Sequence, residues 1–374
     1  MNVAIVGGGI VGLFSAYFLA REGANVTIYD ENPGKYSIHA AGLIEPYRFD
    51  KLNSTGMIAK MLRYMRHGIT EVRQVNRAWL IELLKSLNKE PPAEAWSLMR
   101  DMAKFSLEFY AKLSEERNDF DYKNDGLLEV YASEEELERG VKEEKASPFS
   151  PKFETVDVEG FAGGIFFPEL SRISTEKLVD RLLKDLKEFN VKLIRNEAKV
   201  NLEKKNVNGK KFDKVVLTNG VWITRFLNLP VTAFKGYGIW VKGKTRLSNA
   251  IVTVNEGIAI SPLSDHIKLT GGFSADFSSE WRGDYMFEKT KRLVEVEEVV
   301  SKSLGFRPCS PDGFPIIGKK DDVTVGTGAC RLGWSYAPAM GEKISELVLG
   351  KVNTFGYISK YVDKLDVVQD RRSD

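Results

Sequence analysis

The sequence contains little cysteine, histidine or glutamine. Its two cysteines, Cys309 and Cys330, form no Cys-x-x-Cys pair, which argues against a disulfide framework and against a cysteine metal site, so no metal is expected. Cys309 is expected to be an inert buried thiol, and a reducing cytoplasm suits this composition. The presence of only two glutamines, Gln74 and Gln369, beside abundant Lys and Glu favours a thermophilic source.

Long apolar runs and a strong net charge are lacking as well. No uninterrupted apolar stretch approaches the roughly 20 residues that cross a bilayer, and a chain that starts with a core strand is expected to have no signal peptide. Peripheral membrane contact stays open. The 54 basic and 52 acidic side chains leave a formal charge of +2, which provides no overall field to attract nucleic acid. We therefore expect a small-molecule substrate, and 374 residues suffice for two lobes.

The start of the chain places a glycine motif between a strand and a helix. Gly7, Gly9 and Gly12 follow the apolar residues 1–6 in the pattern Gly-x-Gly-x-x-Gly. Such glycines permit a tight turn, the approach of backbone N–H groups to a pyrophosphate, and close packing of helix on sheet. Asp30 ends the next apolar run, 18 residues after Gly12, where a carboxylate can accept hydrogen bonds from ribose hydroxyls. The motif predicts a dinucleotide site, which also includes Ile10, Val11 and Glu31.

Hydrophobic periodicity predicts alternating helices and strands in the rest of the chain. Helices are expected over residues 57–116 with a break at Pro91-Pro92, after a capping box at Ser133, after Ser174, over 288–304, and after Gly333. Strands are expected at 126–131, 163–168, 191–194, 215–218 and 323–325, and residues 231–273 are expected to form an antiparallel sheet. The charged tail 370–374 is expected to be disordered.

Four segments together resemble the flavin-dependent amine and amino acid oxidoreductases typified by D-amino acid oxidase, glycine oxidase and sarcosine oxidase. They are the glycine motif with Asp30, residues 37–43 (Ser-Ile-His-Ala-Ala-Gly-Leu), the turn 219–222 (Asn-Gly-Val-Trp), and the C-terminal blocks around Arg307 and Gly328. They span the whole chain in the family's order. The resemblance implies bound FAD, and the cofactor-binding candidates it adds are His39, Ala40, Ala41, Gly42, Leu43, Asn219, Gly220, Trp222, Gly328, Leu332, Gly333 and Trp334.

The resemblance also implies the fold class. It is α/β, with a discontinuous, Rossmann-like FAD-binding domain of the glutathione-reductase type and an inserted α+β substrate domain built on an antiparallel sheet. The FAD-binding domain would comprise residues 1–45, 151–230 and 305–374, and the substrate domain residues 46–150 and 231–304. No second Gly-x-Gly-x-x-Gly of the nicotinamide kind is present, which favours a direct reaction of FAD with the substrate over NAD(P)H chemistry.

Two arginines are the catalytic candidates. In the family, the arginine of a Gly-x-Arg-Pro segment binds the substrate carboxylate, and residues 305–308 reproduce that segment around Arg307. A planar guanidinium can hold a carboxylate by two parallel hydrogen bonds; the alternative is a surface ion pair. Arg331 stands where glycine oxidase has an arginine, and its alternatives are a phosphate contact or solvent exposure. Ala329 replaces the histidine of the family's Gly-His pair.

Three further positions bear on the chemistry. The context of His39 resembles the segment that attaches flavin covalently in dimethylglycine and sarcosine dehydrogenases; the alternative is a neutral histidine beside the cofactor. Lys268 resembles the oxygen-activating lysine of sarcosine oxidase, although its register is one residue off. Ala259 occupies the place where the pocket tyrosine of amino acid oxidases would be expected.

The sequence therefore predicts a cytoplasmic, FAD-dependent oxidase or dehydrogenase. The first hypothesis is oxidation of the Cα–N bond of glycine or a D-amino acid by hydride transfer to the flavin, giving an imine and then a 2-oxo acid and ammonia. The second is a dehydrogenase of secondary amines such as sarcosine, dimethylglycine or proline, possible also as the flavin subunit of a hetero-oligomer. Oxygen, a quinone or a partner protein would accept the electrons, and the homo- or hetero-oligomeric state stays open.

Overall fold

We describe a computed structural model of the chain, which covers residues 1–66, 68 and 70–365. The predicted disordered tail at 370–374 lies outside these residues. The helices are α1 (Ile10–Arg21), α2 (Thr55–Arg66), α3 (Arg77–Lys85), α4 (Ala93–Glu116), α5 (Glu134–Lys145), α6 (Thr175–Glu188), α7 (Tyr285–Thr290) and α8 (Gly333–Val348).

The strands fall into two large sheets and two small ones. They are β1 (Asn2–Val6), β2 (Asn25–Tyr29), β3 (Leu43–Ile44), β4 (Leu127–Tyr131), β5 (Glu154–Val156), β6 (Gly163–Phe167), β7 (Ser171–Arg172), β8 (Lys192–Ile194), β9 (Val200–Asn201), β10 (Asn206–Val207), β11 (Lys210–Lys211), β12 (Lys214–Leu217), β13 (Thr232–Thr245), β14 (Ala250–Thr253), β15 (Ile258–Pro262), β16 (Ile267–Ala275), β17 (Val294–Cys309), β18 (Ile316–Lys320) and β19 (Val323–Thr327).

The first large sheet has the order β18-β19-β12-β1-β2-β8 and is parallel except for the edge strand β18. Its central strand β1 is fully buried from Val3 to Ile5 because both faces of the sheet are covered. Helices α1, α4, α6 and α8 share one hydrophobic core with this sheet. At the crossing of α1 and α8, a Cβ on Gly341 would lie 2.7 Å from the backbone of Phe14, so glycine sets how closely these helices approach.

The second large sheet has eight strands in the order β17-β13-β16-β15-β14-β4-β6-β5. Pairing is antiparallel except between β14 and β4. This confirms the mixed α/β class with an antiparallel second sheet. Strands β5 and β6 belong to this sheet, so its boundary differs from the proposed domain boundary at 150/151. The division of the chain into domains stays a prediction.

The predicted helix over residues 288–304 is wrong. Only Tyr285–Thr290 is helical, and residues from Val294 onward form β17, which pairs with β13 along its length. The alternation of Glu and Val at 294–297 and the β-branched Val299 and Val300 favour a strand. The charged residues in the same segment are also typical of an exposed helix. Pairing with β13 determines that the segment forms a strand.

Cys309 is buried as predicted, but the expectations that it is an inert thiol and that the chain has no disulfide are wrong, because Cys309 and Cys330 form a disulfide with their Cα atoms 4.1 Å apart. Cys309 ends β17 and forms a β-bridge with Ala329. This bridge brings together two cysteines that are 21 residues apart in sequence. Spacing along the chain gave no sign of it, since the contact depends on how β17 meets the turn before α8.

The disulfide makes a prediction about thiol content. Protein denatured without reductant is expected to contain no titratable thiol, and to contain two after reduction. Removing the bridge with Cys309→Ser should lower the free energy of unfolding by about 3 kcal/mol, because a loop of this length loses its closure constraint in the unfolded chain. Two reactive thiols before reduction would contradict the assignment.

Candidate active site

The glycine motif forms the turn from β1 into α1, as predicted. Gly7 has φ +102°, and a Cβ there would lie 2.5 Å from the Cα of Asn219. A Cβ on Gly12 would lie 2.0 Å from the carbonyl oxygen of Gly7. Any side chain at either position would displace backbone, so the two glycines hold α1 against the carboxyl ends of β1 and β12.

The N-terminus of α1 is open to a ligand. Its N-cap residue Gly9 supplies no side-chain hydrogen bond, and Ile10 N donates to Ser37 Oγ at 3.0 Å. The unpaired N–H groups and the helix dipole at such a terminus favour an anion. Asp30, at the end of β2, accepts from Gly8 N at 2.7 Å and from Asn32 N at 2.8 Å, which fixes its carboxylate beside this turn.

A cavity of about 470 Å³ extends from this turn towards the second sheet. Such a volume is typical of ligand sites. The predicted site residues that line it are Gly7, Gly9, Ile10, Val11, Asp30, Glu31, His39, Ala40, Asn219, Gly220, Trp222, Arg307, Gly328, Arg331, Gly333 and Trp334.

Five predicted cofactor residues do not line the cavity: Gly12, Ala41, Gly42, Leu43 and Leu332. Gly12 acts through packing of α1, as described above. Gly42 has φ +77°, and a Cβ there would lie 2.1 Å from the carbonyl oxygen of Ile173, so it lets residues 40–43 pass close to that segment. Leu43 pairs with Arg172 in the small β3–β7 sheet. Ala41 and Leu332 have no contact with the cavity that would explain a role in cofactor binding.

Sequence reasoning missed several residues of the cavity wall. Those absent from the predicted set include Tyr29, Tyr36, Ser37, Asn196, Glu197, Ala198, Thr218, Gly236, Phe306, Gly326 and Thr327. Residues 196–198 follow the end of β8, the parallel neighbour of β2, so they lie at the same carboxyl edge as Asp30. The rule that ligands bind at the carboxyl ends of parallel strands would have found them.

The cavity fits a flavin dinucleotide on its own geometry. The glycine turn would be filled by any Cβ, the N-terminus of α1 is open, and the buried Oδ1 atom of Asn219 has no hydrogen-bond partner within the described residues. Buried polar atoms are rarely left without a partner. The turn, α1 and Asp30 would hold the pyrophosphate and a ribose, and the wall towards β17 would face the redox-active ring.

Arg307 lies on β17 at the wall of this cavity. Its guanidinium donates to the carbonyl oxygen of Gly272 at 2.8 Å and stands 5.7 Å from the ring centre of Phe273. A Cβ on Gly236 would lie 2.5 Å from both terminal nitrogens, so glycine at that position makes room for the group. No carboxylate among the described residues lies within 4.0 Å of it. Burial and the neighbouring Arg331 lower the pKa of Arg307 to about 10, and it remains charged at neutral pH.

Tyr285 lies beside Arg307. Its hydroxyl is buried and has no hydrogen-bond partner within the described part of the chain. Burial, reinforced by Tyr237, raises the pKa of Tyr285 to about 12 even though Arg307 opposes the shift. The hydroxyl is therefore protonated at neutral pH and can donate. A buried arginine without a carboxylate partner in the cavity wall suits a substrate carboxylate, whereas Tyr285 lies behind Arg307 and does not line the cavity.

Arg331 also lines the cavity, but its guanidinium is already paired. It lies 3.2 Å from Glu45 Oε1 and 3.0 Å from Asp50 Oδ2. Burial lowers its pKa, yet these two carboxylates outweigh that effect and raise it. The nearby Arg48 binds Glu129 and Glu144. A direct contact of Arg331 with substrate stays a prediction, and its observed contacts are those of an ion-pair cluster.

His39 lines the cavity and is buried. Its Nε2 stands 3.5 Å from Ser303 Oγ, whereas its Nδ1 has no partner among the described residues. Burial, reinforced by the positive charge of Lys268, lowers the pKa of His39 to about 4. The imidazole is therefore neutral at physiological pH.

Lys268 does not line the cavity but forms a buried ion pair behind His39. Its Nζ donates to Ile38 O at 2.5 Å, to Thr175 Oγ1 at 2.7 Å and to Glu176 Oε1 at 2.8 Å. Burial lowers the pKa of Lys268 to about 8. Burial would raise the pKa of Glu176, but Lys268 outweighs it and the pKa falls to about 2. Lys268 thus fixes the backbone that precedes His39 to the start of α6.

The chain matches one protein family and is similar to proteins of known activity. Residues 2–347 match the family of FAD dependent oxidoreductases that includes D-amino acid oxidase. The D-proline dehydrogenase of Pyrobaculum islandicum is 35% identical over 361 residues, which cover 94% of this chain and 96% of that protein. A D-amino acid dehydrogenase of Bradyrhizobium diazoefficiens is 25% identical over 94% of this chain and 96% of that protein.

Solved structures agree at the level of the fold. Glycine oxidase from Bacillus cereus superposes with a TM-score of 0.71 at 17% identity, covering 98% of both chains. L-proline dehydrogenase from P. horikoshii superposes with a TM-score of 0.68 at 17% identity, covering 97% of this chain and 98% of that one. The expected family, fold class and cofactor are confirmed. The chain belongs to the D-amino acid oxidase-like FAD-dependent oxidoreductases and is an enzyme of their amino acid dehydrogenase or oxidase type.

Proposed function

We propose that this protein is a D-amino acid dehydrogenase whose preferred substrate is D-proline, which it oxidises to 1-pyrroline-2-carboxylate. The observation that carries the proposal is the guanidinium of Arg307, which faces the cavity without a carboxylate partner within the described residues. An unpaired cation at a partly desolvated wall favours a ligand that brings an anion. The carboxylate of an amino acid meets that requirement.

The wall around Arg307 also suits an apolar substrate body. Phe306 and Trp222 line the cavity, and their ring centres are 6.1 Å apart. With the carboxylate bound to Arg307, Phe306 and Trp222 would offer apolar contact to the methylene groups of a pyrrolidine ring. Holding both ends of a small rigid substrate orients its Cα–H bond, which is what hydride transfer requires.

Bound FAD supplies a hydride acceptor for the Cα–H bond. D-proline reacts as the neutral amine: the Cα hydrogen leaves as hydride and the N–H proton goes to solvent as the C=N bond forms. The products are the cyclic imine, one proton and a hydride whose two electrons are held for an acceptor. No strong protein base is needed, in keeping with a His39 imidazole whose pKa is about 4. Arg307 binds the substrate carboxylate and so orients the substrate, and the apolar wall excludes water.

The comparisons support a secondary amine over glycine as the preferred substrate. The relative named D-proline dehydrogenase shares 35% identity over nearly the full length of both chains. The glycine oxidase neighbour shares 17%, a level that speaks for the fold alone. D-proline satisfies both sequence-based hypotheses, because it is a D-amino acid and also a cyclic secondary amine.

The name dehydrogenase among the relatives supports an electron acceptor other than oxygen. A quinone or an artificial dye should then sustain turnover, whereas peroxide formation in air should be slow. Rapid peroxide formation by the isolated chain would favour an oxidase. Turnover that requires a second polypeptide would favour the flavin subunit of a hetero-oligomer.

The experiment is a substrate panel with product identification. D-proline, L-proline, glycine, D-alanine, sarcosine and dimethylglycine are compared with a dye as acceptor. We expect the highest kcat/KM with D-proline, formation of the cyclic imine, and no ammonia. Release of ammonia from glycine at the highest kcat/KM, or of formaldehyde from sarcosine, would replace the proposal with the corresponding activity.

Covalent attachment of flavin through His39 has a separate test. We expect acid denaturation to release the flavin from the wild-type protein, because Nδ1 of His39 is inaccessible and Nε2 faces Ser303. Flavin that stays with the precipitated chain, and is released only from His39→Ala, would instead establish the covalent link.

A further inference from the structure

Helices α2 and α3 present an unusual outer surface, which we call the α2–α3 face and define as the exposed side chains of residues 55–66, 68 and 70–89. Within the described residues it concentrates six exposed large apolar side chains, including Leu62 at 59% and Leu84 at 60% exposure. The others are Met65, Val72, Leu80 and Ile81. Such a concentration of exposed large apolar side chains in one segment of a folded protein indicates an interaction surface.

The inward-facing sides of α2 and α3 pack against the rest of the protein. Trp79 and Leu83 of α3 are buried in a cluster with Leu52 and Phe234, and Met57 and Met61 of α2 pack against the same cluster. In α2 no residue is fully buried. The inward sides therefore already supply the contacts that hold the helices, and the outward apolar side chains add nothing to that core.

The same segment is strongly basic. Residues 55–89 contain seven Lys and Arg but only Glu71 and Glu82 as acids, a net charge of +5 in a chain whose total is +2. Two of the seven, Arg73 and Lys85, are paired with acids. The remaining five have no ion pair among the described residues: Lys60, Arg63, Arg66, Arg77 and Lys89. The cations border exposed apolar side chains on the two helices.

We propose that the α2–α3 face binds the surface of an anionic lipid bilayer. Amphipathic helices with Leu, Ile and Met on one side and Lys and Arg beside them lie in the membrane interface, and each basic side chain near an anionic surface adds to binding. A protein partner of matching charge would need acidic side chains and an apolar patch together. An anionic bilayer offers negative charge and an apolar layer without a fixed arrangement. It therefore suits a surface that mixes six apolar and five cationic side chains.

The face adjoins the mouth of the cofactor cavity. Val72 forms a β-bridge with Ala275, and Phe277, two residues further on, is 38% exposed. Phe277 contacts Trp222 and Phe306, with ring centres 5.8 and 4.8 Å apart, and both of these residues line the cavity. A bilayer bound at the α2–α3 face would thus lie beside an aromatic edge of the cavity, where a lipid-soluble acceptor could approach. The lipid contact itself does not depend on which amino acid is oxidised.

The test is sedimentation of the purified holoenzyme with vesicles. Vesicles of phosphatidylglycerol and phosphatidylcholine in equal parts should pellet the protein, and pure phosphatidylcholine vesicles or high salt should weaken binding at least tenfold. Arg63→Gln with Arg66→Gln, and separately Leu80→Gln with Leu84→Gln, should each weaken binding at least tenfold. Matched controls elsewhere on the surface, Lys204→Gln with Lys211→Gln and Val299→Gln with Val300→Gln, should bind like the wild type.

Three results would overturn the proposal. The wild type could stay in the supernatant with anionic vesicles, the controls could lose as much binding as the test variants, or the α2–α3 face could be covered by a second copy of the chain. The last case would show as a dimer in sedimentation equilibrium that Leu80→Gln with Leu84→Gln dissociates. Oxidation of D-proline with a soluble dye should be unchanged in all four variants, so failure of lipid binding and failure of the proposed function are distinguishable.

Discussion

Replacing Arg307 with alanine is expected to lower kcat/KM for D-proline about a thousandfold, which corresponds to about 4 kcal/mol of lost transition-state stabilisation. The guanidinium has no carboxylate partner within the described residues, so the substrate carboxylate would lose its main donor at a site where water replaces it poorly. The measurement is steady-state kinetics, together with the FAD content of the purified variant.

The controls for this variant separate substrate binding from folding. Arg307→Lys retains the charge but not the planar pair of donors, and should lose less activity than alanine. Arg282 is an exposed arginine in the loop between β16 and α7, where it pairs with Glu71 and Glu280. Arg282→Ala should therefore leave kcat/KM unchanged. Normal kinetics of a fully loaded Arg307→Ala protein would remove Arg307 from the site.

Glu176→Gln is expected to lower the free energy of unfolding by about 3 kcal/mol at pH 7, because it leaves Lys268 buried without its carboxylate partner. The pKa of Glu176 falls from an ordinary 4.5 to about 2 in the folded protein. A carboxyl with a lowered pKa stabilises the fold fully above its ordinary pKa and loses that contribution as the pH falls towards the folded value. The difference between wild type and variant should therefore shrink between about pH 4.5 and pH 2.

Chemical unfolding of both proteins across that pH range checks this expectation. The double variant Lys268→Met with Glu176→Gln provides the matched comparison, since replacing both members of a buried ion pair costs less than breaking it. It should be more stable at pH 7 than Glu176→Gln alone. A stability difference that does not change with pH would mean that the Glu176 carboxylate is not the titrating group.

The parts of the fold that sequence predicted best are those specified locally. The turn at Gly7–Gly12, the N-caps at Ser133 and Ser174, and the break before α4 each follow from a few adjacent residues. The helix predicted for residues 288–304 failed because its pattern of Glu and Val suits either structure, and β13 decides between them from far away in sequence. The Cys309–Cys330 disulfide depends on the same kind of distant contact.

The candidate site shows the same division. Arg307 and the glycine motif were predicted from short patterns. The position of Tyr285 beside Arg307 was not predicted, because nothing in its own neighbourhood shows that its hydroxyl would be buried there. Lys268 was singled out for chemistry, and the structure instead places it behind His39 in an ion pair with Glu176, a contact between β16 and α6 that no local signal reports.

Anaerobic reduction of the enzyme-bound flavin by each enantiomer of proline identifies the substrate without any assumption about the electron acceptor. Rapid mixing of the wild-type holoenzyme with D-proline should bleach the flavin absorbance quickly, whereas L-proline and glycine should do so far more slowly, and Arg307→Ala should require much higher D-proline concentrations. Fast bleaching by L-proline or glycine with none by D-proline would rule out D-proline as the substrate.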